Sequence, residues 1–184
     1  MLPETAYHGV LGDYFAEHAD ISPYNAYTDR PAMLDLVGDV AGAKILDVGC
    51  GAGHYAAELL ARGAEVVGVD GSATLLDHAR ARAGRRAKLL LHDLEEPLDF
   101  AGDASFDGVV CALVLHHVTR RAQLLGELRR VLRPGAGSWS RRPIRQPTGA
   151  TSAARTTPTT GSNSPERQPV LDPFPADAVG DVPG

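Results

Sequence analysis

Between Lys44 and Leu132 two hydrophobic patterns alternate. Runs that are apolar almost throughout occur at Lys44–Val48, Glu65–Val69, Ala87–Leu91 and Phe106–Val114. These lengths and compositions predict buried strands. Between them, apolar residues recur at helical spacing: Tyr55, Leu59 and Leu60 within 53–62, then Leu75, Leu76, Ala79 and Ala83 within 73–83. A further set comprises Leu124, Leu125, Leu128, Val131 and Leu132. Ser72 and Thr119 are placed to cap the second and third of these helices. Gly63, Gly84 and Arg133-Pro134-Gly135 are placed to end them. Glu95–Ser105 reads as a loop or a broken helix. Strands apolar on both faces and alternating with helices predict an α/β architecture, a doubly wound parallel sheet covered on both sides.

The first 43 residues predict a helical cap. Tyr7, Leu11, Tyr14 and His18, with Val10 and Phe15 beside them, form the expected apolar face of a first helix. Ser22-Pro23-Tyr24-Asn25 breaks it. Asp29 is expected to cap a second helix that buries Met33, Leu34 and Val37 and stops at Gly38. Tyr24, Tyr27 and Arg30 are candidates to line a ligand mouth. From Ser138 onward no apolar periodicity survives, and 8 of the 13 prolines lie there. Residues 138–184 are therefore expected to be a disordered tail. The sheet is expected to be incomplete after its fourth strand.

Charge and cysteine content narrow the function. A formal charge of -5 and a pI near 5.8 exclude a basic, non-specific nucleic-acid binder. Cys50 and Cys111 sit in apolar contexts without ligand-like spacing, so two reduced, buried thiols are expected and no metal site. The longest mostly apolar run, 108–118, is too short to span a bilayer, and no leader segment is evident. The expectation is a cytoplasmic protein with no membrane partner. Its oligomeric state is not legible.

The candidate chemistry lies at Asp47-Val48-Gly49-Cys50-Gly51-Ala52-Gly53. A strand that breaks into closely spaced glycines and enters a helix brings backbone N–H groups close to a polar ligand. Asp70 closes the next strand, where a carboxylate can accept both hydroxyls of a ribose; its competing role is the Asp-Gly turn. Asp93 follows the third strand and could accept from an adenine amino group, with Leu94 against the ring. A dinucleotide fingerprint would place its third glycine at position 54, which is His54, and this argues against NAD or FAD.

These residues carry a resemblance. Ile45–Gly53 is similar to the first motif of class I S-adenosylmethionine-dependent methyltransferases. Val66–Asp70, His92-Asp93-Leu94 and Phe106–Val110 resemble the second, third and fourth, and Leu132–Gly135 resembles the turn before the fifth strand. The set is similar to the methyltransferase type 11 branch. The resemblance implies a Rossmann-like domain over 44–137, S-adenosylmethionine as cofactor, and methyl transfer to a small-molecule acceptor. It implies that Gly49, Gly51 and Gly53 form the cofactor loop and that Asp47 orients this loop or the cofactor's amino group. Asp70 would hold the ribose, and Gly71 would flank the adenine. Asp93 and Leu94 would read the adenine edge, and Cys111 and Leu113 would lie beneath the methyl group. His116 is the candidate base; His117 is expected to pack, and Asp107 to serve a turn. The alternatives are a truncated, non-catalytic cofactor-binding protein and an NAD-dependent oxidoreductase.

The family normally has seven strands, and the fifth should follow Gly135. The chain instead reads Ser138-Trp139-Ser140-Arg141-Arg142. A reading-frame shift near 135–138 in a GC-rich gene is one origin, and a natural tail is the other. Either way the fourth strand is expected to be an exposed apolar edge. Stability is expected to be weak, with little or no turnover by the 184-residue chain.

Overall fold

The computed structural model describes residues 7–22 and 25–141. Its five strands are β1 (Lys44–Val48), β2 (Glu65–Asp70), β3 (Ala87–Leu91), β4 (Phe106–Ala112) and β5 (Leu132–Arg141). They form one sheet in the order β3-β2-β1-β4-β5, and every pairing is parallel. The helices are α1 (Gly9–Ile21), α2 (Arg30–Val37), α3 (His54–Ala61), α4 (Ala73–Ala83) and α5 (Arg121–Val131), with a turn of π-helix at Asn25–Asp29 leading into α2. The strand order reverses between β1 and β4, so the carboxyl ends of those two strands flank a crevice of the kind that binds ligands in doubly wound sheets.

Side-chain alternation along the strands divides the core in two. Ile45, Val66 and Val110 pack with Met33, Leu34 and Val37 of α2 and Ala56 and Leu59 of α3. Leu46, Val48, Val67, Val69, Val109 and Cys111 pack on the other face with Leu124, Leu128 and Val131 of α5. Both faces of the central strands are thus dry, which is why their sequence is apolar in unbroken runs. The exception is Asp47, which shares the face of Ile45 and is 1% exposed.

Several expectations are corrected. The sheet does not stop after four strands: β5 pairs with β4, from Gly108 against Gly137 to Ala112 against Arg141. β4 is therefore an interior strand rather than an exposed edge, and residues 138–141 belong to the sheet rather than to a tail. Residues 142–184, and Tyr24, lie outside the described residues. α5 ends at Val131, and Leu132 already pairs with Phe106. The register then shifts before regular pairing resumes at Gly137. Pro134 and Gly135, the latter at φ +80°, occupy this bulge, where a missing N–H and a left-handed residue are tolerated.

The face predicted for α1 is right only in part: Tyr7 and Phe15 pack against the small core of Ala16, Ala52 and Leu75. Val10, Leu11 and Tyr14 are exposed, whereas Ala16 and Ala19 are buried. Small residues decide this contact because α1 lies close against α4: Gly9 N donates to Thr74 Oγ1 at 3.0 Å, and a Cβ on Gly12 would lie 3.0 Å from Thr74 Cγ2. Tyr27 is exposed, and Arg30 donates to the Ala19 carbonyl at 3.3 Å. The expected caps fare unevenly. Ser72 Oγ accepts from Leu75 N at 3.2 Å, as a cap should. Thr119 does not cap α5. The carboxylate of Glu95 takes that place, accepting from Thr119 N at 2.6 Å and Arg120 N at 3.0 Å. These amides hold the Glu95 carboxyl below its ordinary range. Asp29 makes no side-chain cap on α2; it is 2% exposed and accepts from the Tyr55 hydroxyl at 2.9 Å. The 95–105 segment is a loop, pinned by Arg130 to the Leu98 and Ala101 carbonyls at 3.0 Å each.

Candidate cofactor site

β1 ends where three glycines bend the chain into α3. Gly49, Gly51 and Gly53 all have positive φ, at +65°, +53° and +79°. Their surroundings separate their roles. A Cβ on Gly49 would lie 2.3 Å from Val114 Cγ2, just beyond β4. One on Gly53 would lie 2.9 Å from the Cα and Cβ of Ala79 on α4. One on Gly51 would meet nothing within 4 Å. Two glycines thus permit close packing, and the third faces open space, where a ligand can approach the backbone.

Asp70, at the end of β2, holds this loop. Its Oδ2 accepts from Gly51 N at 2.8 Å, and its Oδ1 accepts from Ser72 N at 2.8 Å. Gly71 follows it, and its amide also turns toward the carboxylate. The turn role and the ligand role therefore do not compete. The two amide bonds fix the carboxylate and leave each oxygen a further lone pair. Burial pushes its pKa up, and the amides of Ser72 and Gly51 oppose this.

Asp47 is more deeply placed. Gly53 gives α3 no capping side chain, and the Asp47 carboxylate, arriving from β1, accepts from Ala56 N in its place. Its other oxygen, Oδ2, is buried without a hydrogen-bond partner. Burial, with the charge of Asp70 second, pushes its pKa up to about 7. A buried carboxylate oxygen without a donor is costly. A cationic or N–H-bearing ligand arriving beside the loop would relieve that cost.

The other predicted residues lie farther round the sheet edge. Cys111 is 1% exposed in the β4 core, and burial, then the Asp47 charge, pushes its thiol up to about 12. Cys50 is likewise buried and shifted upward, and both thiols are free. Leu94 packs against the core that contains Cys111. Asp93 accepts from Glu95 N at 3.0 Å within its own turn. It also lines a cleft of about 470 Å³ with Leu91, His92, Glu96, Pro97 and Asp99. Direct bonds thus join Gly51, Asp70 and the Gly71–Ser72 turn, with Asp47 coupled to Asp70 through charge. Asp93, Leu94 and His116 are not part of this hydrogen-bonded set. His116 is exposed and its ring lies 3.8 Å from that of His117. Partial burial and Arg121 lower its pKa. His117 packs edge-on against Tyr7, 5.9 Å between centroids, in keeping with a packing role. Asp107 accepts from Lys44 N at 2.9 Å and pairs with Arg133.

Sequence reasoning gave no site role to Val114, Tyr55 or Asp29. Val114 wedges against Gly49, and Leu113 before it has a left-handed backbone at φ +58°, strain of the kind that gathers at functional sites. At the first turn of α3 the half-buried Tyr55 donates its hydroxyl to the buried Asp29. None has a signal in local spacing, because each acts across long sequence separations.

The family model described as "Methyltransferase domain" matches residues 46–137. The chain belongs to this family. It is a class I S-adenosylmethionine-dependent methyltransferase domain by fold and family, and S-adenosylmethionine is the cofactor that goes with both. Over 109 residues it is 38% identical to the biotin biosynthesis bifunctional protein BioHC of Cellvibrio japonicus, covering 59% of this chain and 20% of that protein. Over 111 residues it is 33% identical to a ubiquinone biosynthesis O-methyltransferase of Xanthomonas oryzae, covering 58% of this chain and 46% of that enzyme. Among solved structures, an S-adenosylmethionine-dependent methyltransferase from Mesorhizobium loti superposes with a TM-score of 0.56 at 29% identity, over 64% of this chain and 52% of that one. The chain therefore spans between 20% and 52% of the length of these relatives. The methyltransferase domain fits its cofactor at three points: the open face of Gly51, the fixed acceptor at Asp70, and the unpartnered buried oxygen of Asp47.

Proposed function

We propose that this chain binds S-adenosylmethionine over the Gly49–Gly53 loop and serves methyl transfer to a small-molecule acceptor. The observation that carries the reading is the loop itself, with Gly51 N tied to Asp70 and its α-carbon facing open space. The cofactor supplies a methyl group on a positively charged sulfur, already activated toward a nucleophile. The protein's part is alignment, worth about 7–11 kcal/mol when the geometry is right. Asp70 accepts from the ribose hydroxyls, and Gly71 borders the adenine. Asp93 and Leu94 bound the far side of the ring, Gly49 and Gly51 approach the methionine portion, and Cys111 lies under the methyl. Asp47 offers its free oxygen toward the cofactor's ammonium. His116 is the candidate base should the acceptor carry a proton to lose. The described part of 1–43, residues 7–22 and 25–43, acts as a cap on the 44–137 cofactor domain.

A small acceptor is supported by relatives named for biotin and ubiquinone biosynthesis and by the acidic charge of the chain. No helix among the described residues is long and apolar enough to cross a membrane. Calorimetric titration of the 184-residue chain with S-adenosylhomocysteine and with NAD tests the reading. Saturable heat is expected with the first alone, and Asp70→Asn is expected to weaken it about ten- to a hundredfold. Absence of heat with S-adenosylhomocysteine, or equal heat with NAD, would sink it.

A further inference from the structure

The fifth strand has the right position and the wrong residues. In its register Val109 faces Ser138, Val110 faces Trp139 and Cys111 faces Ser140. Those β4 positions are 2%, 0% and 1% exposed. A parallel strand beside such positions is normally a run of branched apolar residues, yet the chain offers Ser-Trp-Ser followed by arginines. The family match ends at the same place, Gly137.

The genetic code allows the neighbouring frames to be read in part from the protein. Tryptophan has a single codon, TGG. If each codon is taken one base earlier, the triplet that ends in the first two bases of Trp139 is NTG, which encodes Leu, Met or Val whatever its first base. The next triplet begins with the final G of that codon. With a serine codon of the TCN type at 140, it is GTC, valine. With the same type at 138, the triplet before is NTC: Leu, Ile, Val or Phe. The Arg141 codon, in its CGN form, then yields NCG: Ser, Thr, Ala or Pro. Positions 138–141 thus read apolar, apolar, valine, small residue. In the opposite frame the last two bases of Trp139 and the first base of Ser140 give GGT or GGA, glycine in mid-strand, which weakens a strand.

We infer that codons from about 136 onward are read out of frame, and that the frame one base back encodes the native β5. Loss of one base, or gain of two, between the codons of Pro134 and Ser138 accounts for it. The inference rests on the sheet register and the code, not on the methyl-transfer reading. The described β5 is then a strand whose backbone path is set by β4 and the Pro134-Gly135 bulge, carrying residues not selected for that place.

The test is to resequence the genomic locus across codons 130–150 and to express two proteins, the 184-residue chain and a chain with one base restored after codon 135. The locus is expected to encode an apolar β5 in the frame one base back and to stay open beyond it. The restored protein is expected to melt at least about 5 °C higher. A stop codon in that frame within the next few codons would overturn the inference. So would a polar residue at 138 or 140 in that frame, or a restored protein that melts no higher. Melting is read without ligand, so these outcomes stand apart from cofactor binding.

Discussion

At the scale of single residues, Asp47 carries the most leverage. Its pKa rises from 3.8 to about 7 on folding. Between those values the folded chain keeps a proton that the unfolded chain has released. Stability therefore falls as pH rises from about 4 to 7 and levels off above, by an amount on the order of 4 kcal/mol. Asp47→Asn keeps the shape and removes the charge. Thermal melts are expected to show it more stable than the parent at pH 8 and little different near pH 4. The same variant is expected to bind S-adenosylhomocysteine more weakly, so that stability and binding move in opposite directions. A variant that loses both would mean that Asp47 serves only as the cap of α3.

The three loop glycines make a second residue-scale contrast. Gly51→Ala costs only left-handed backbone strain, about 1–2 kcal/mol, because nothing lies in the path of its Cβ. It is expected to stay folded by circular dichroism and to lose cofactor binding. Gly53→Ala forces a methyl against the α4 backbone at Ala79 and is expected to lower the melting temperature outright. Gly49→Ala meets only a side chain, so Val114→Ala is expected to restore part of its stability in a double-mutant cycle.

At the scale of elements, what could be read from sequence and what could not divides by range. β1–β4, α3 and α4 were legible because their signals are local: unbroken apolar runs, Ser72 at a cap, Gly84 at a stop. The face of α1 was legible only in part. Its neighbour α4 rewards close approach, so Ala16 and Ala19 are buried and Val10, Leu11 and Tyr14 are left outside. β5 was not legible. Its pairing is dictated by β4, and the bulge at Pro134-Gly135 hides its start. Of the site, the glycines and Asp70 were legible as a motif. The Asp29–Tyr55 pair and the Val114 wedge join residues too distant in sequence to leave a pattern.

Glu95 shows the same at α5. A carboxylate 24 residues upstream satisfies two amides of that helix's N-terminus. Its removal, as Glu95→Ala, is expected to cost about 1–2 kcal/mol, a fall of roughly 2–8 °C in melting temperature. Glu95→Gln retains one acceptor and is expected to fall between. A Glu95→Ala melt equal to that of the parent would mean that water replaces the carboxylate without loss.

At the scale of the molecule, the described residues form a cofactor-binding half-sheet whose outer strand, β5, is an edge of the five-stranded sheet. Its chemistry gathers at the ends of β1 and β2, held by bonds within the domain. The candidate site is thus held together by contacts within the domain itself. The unpartnered oxygen of Asp47 has one further consequence. Near pH 7 this carboxyl holds its proton about half of the time. A cationic ligand group settling beside it lowers its pKa, so the proton leaves for solvent as the ligand enters. Binding heats measured at pH 7 in buffers of different ionisation enthalpy are expected to diverge, with up to about half a proton released per ligand. In Asp47→Asn they are expected to coincide.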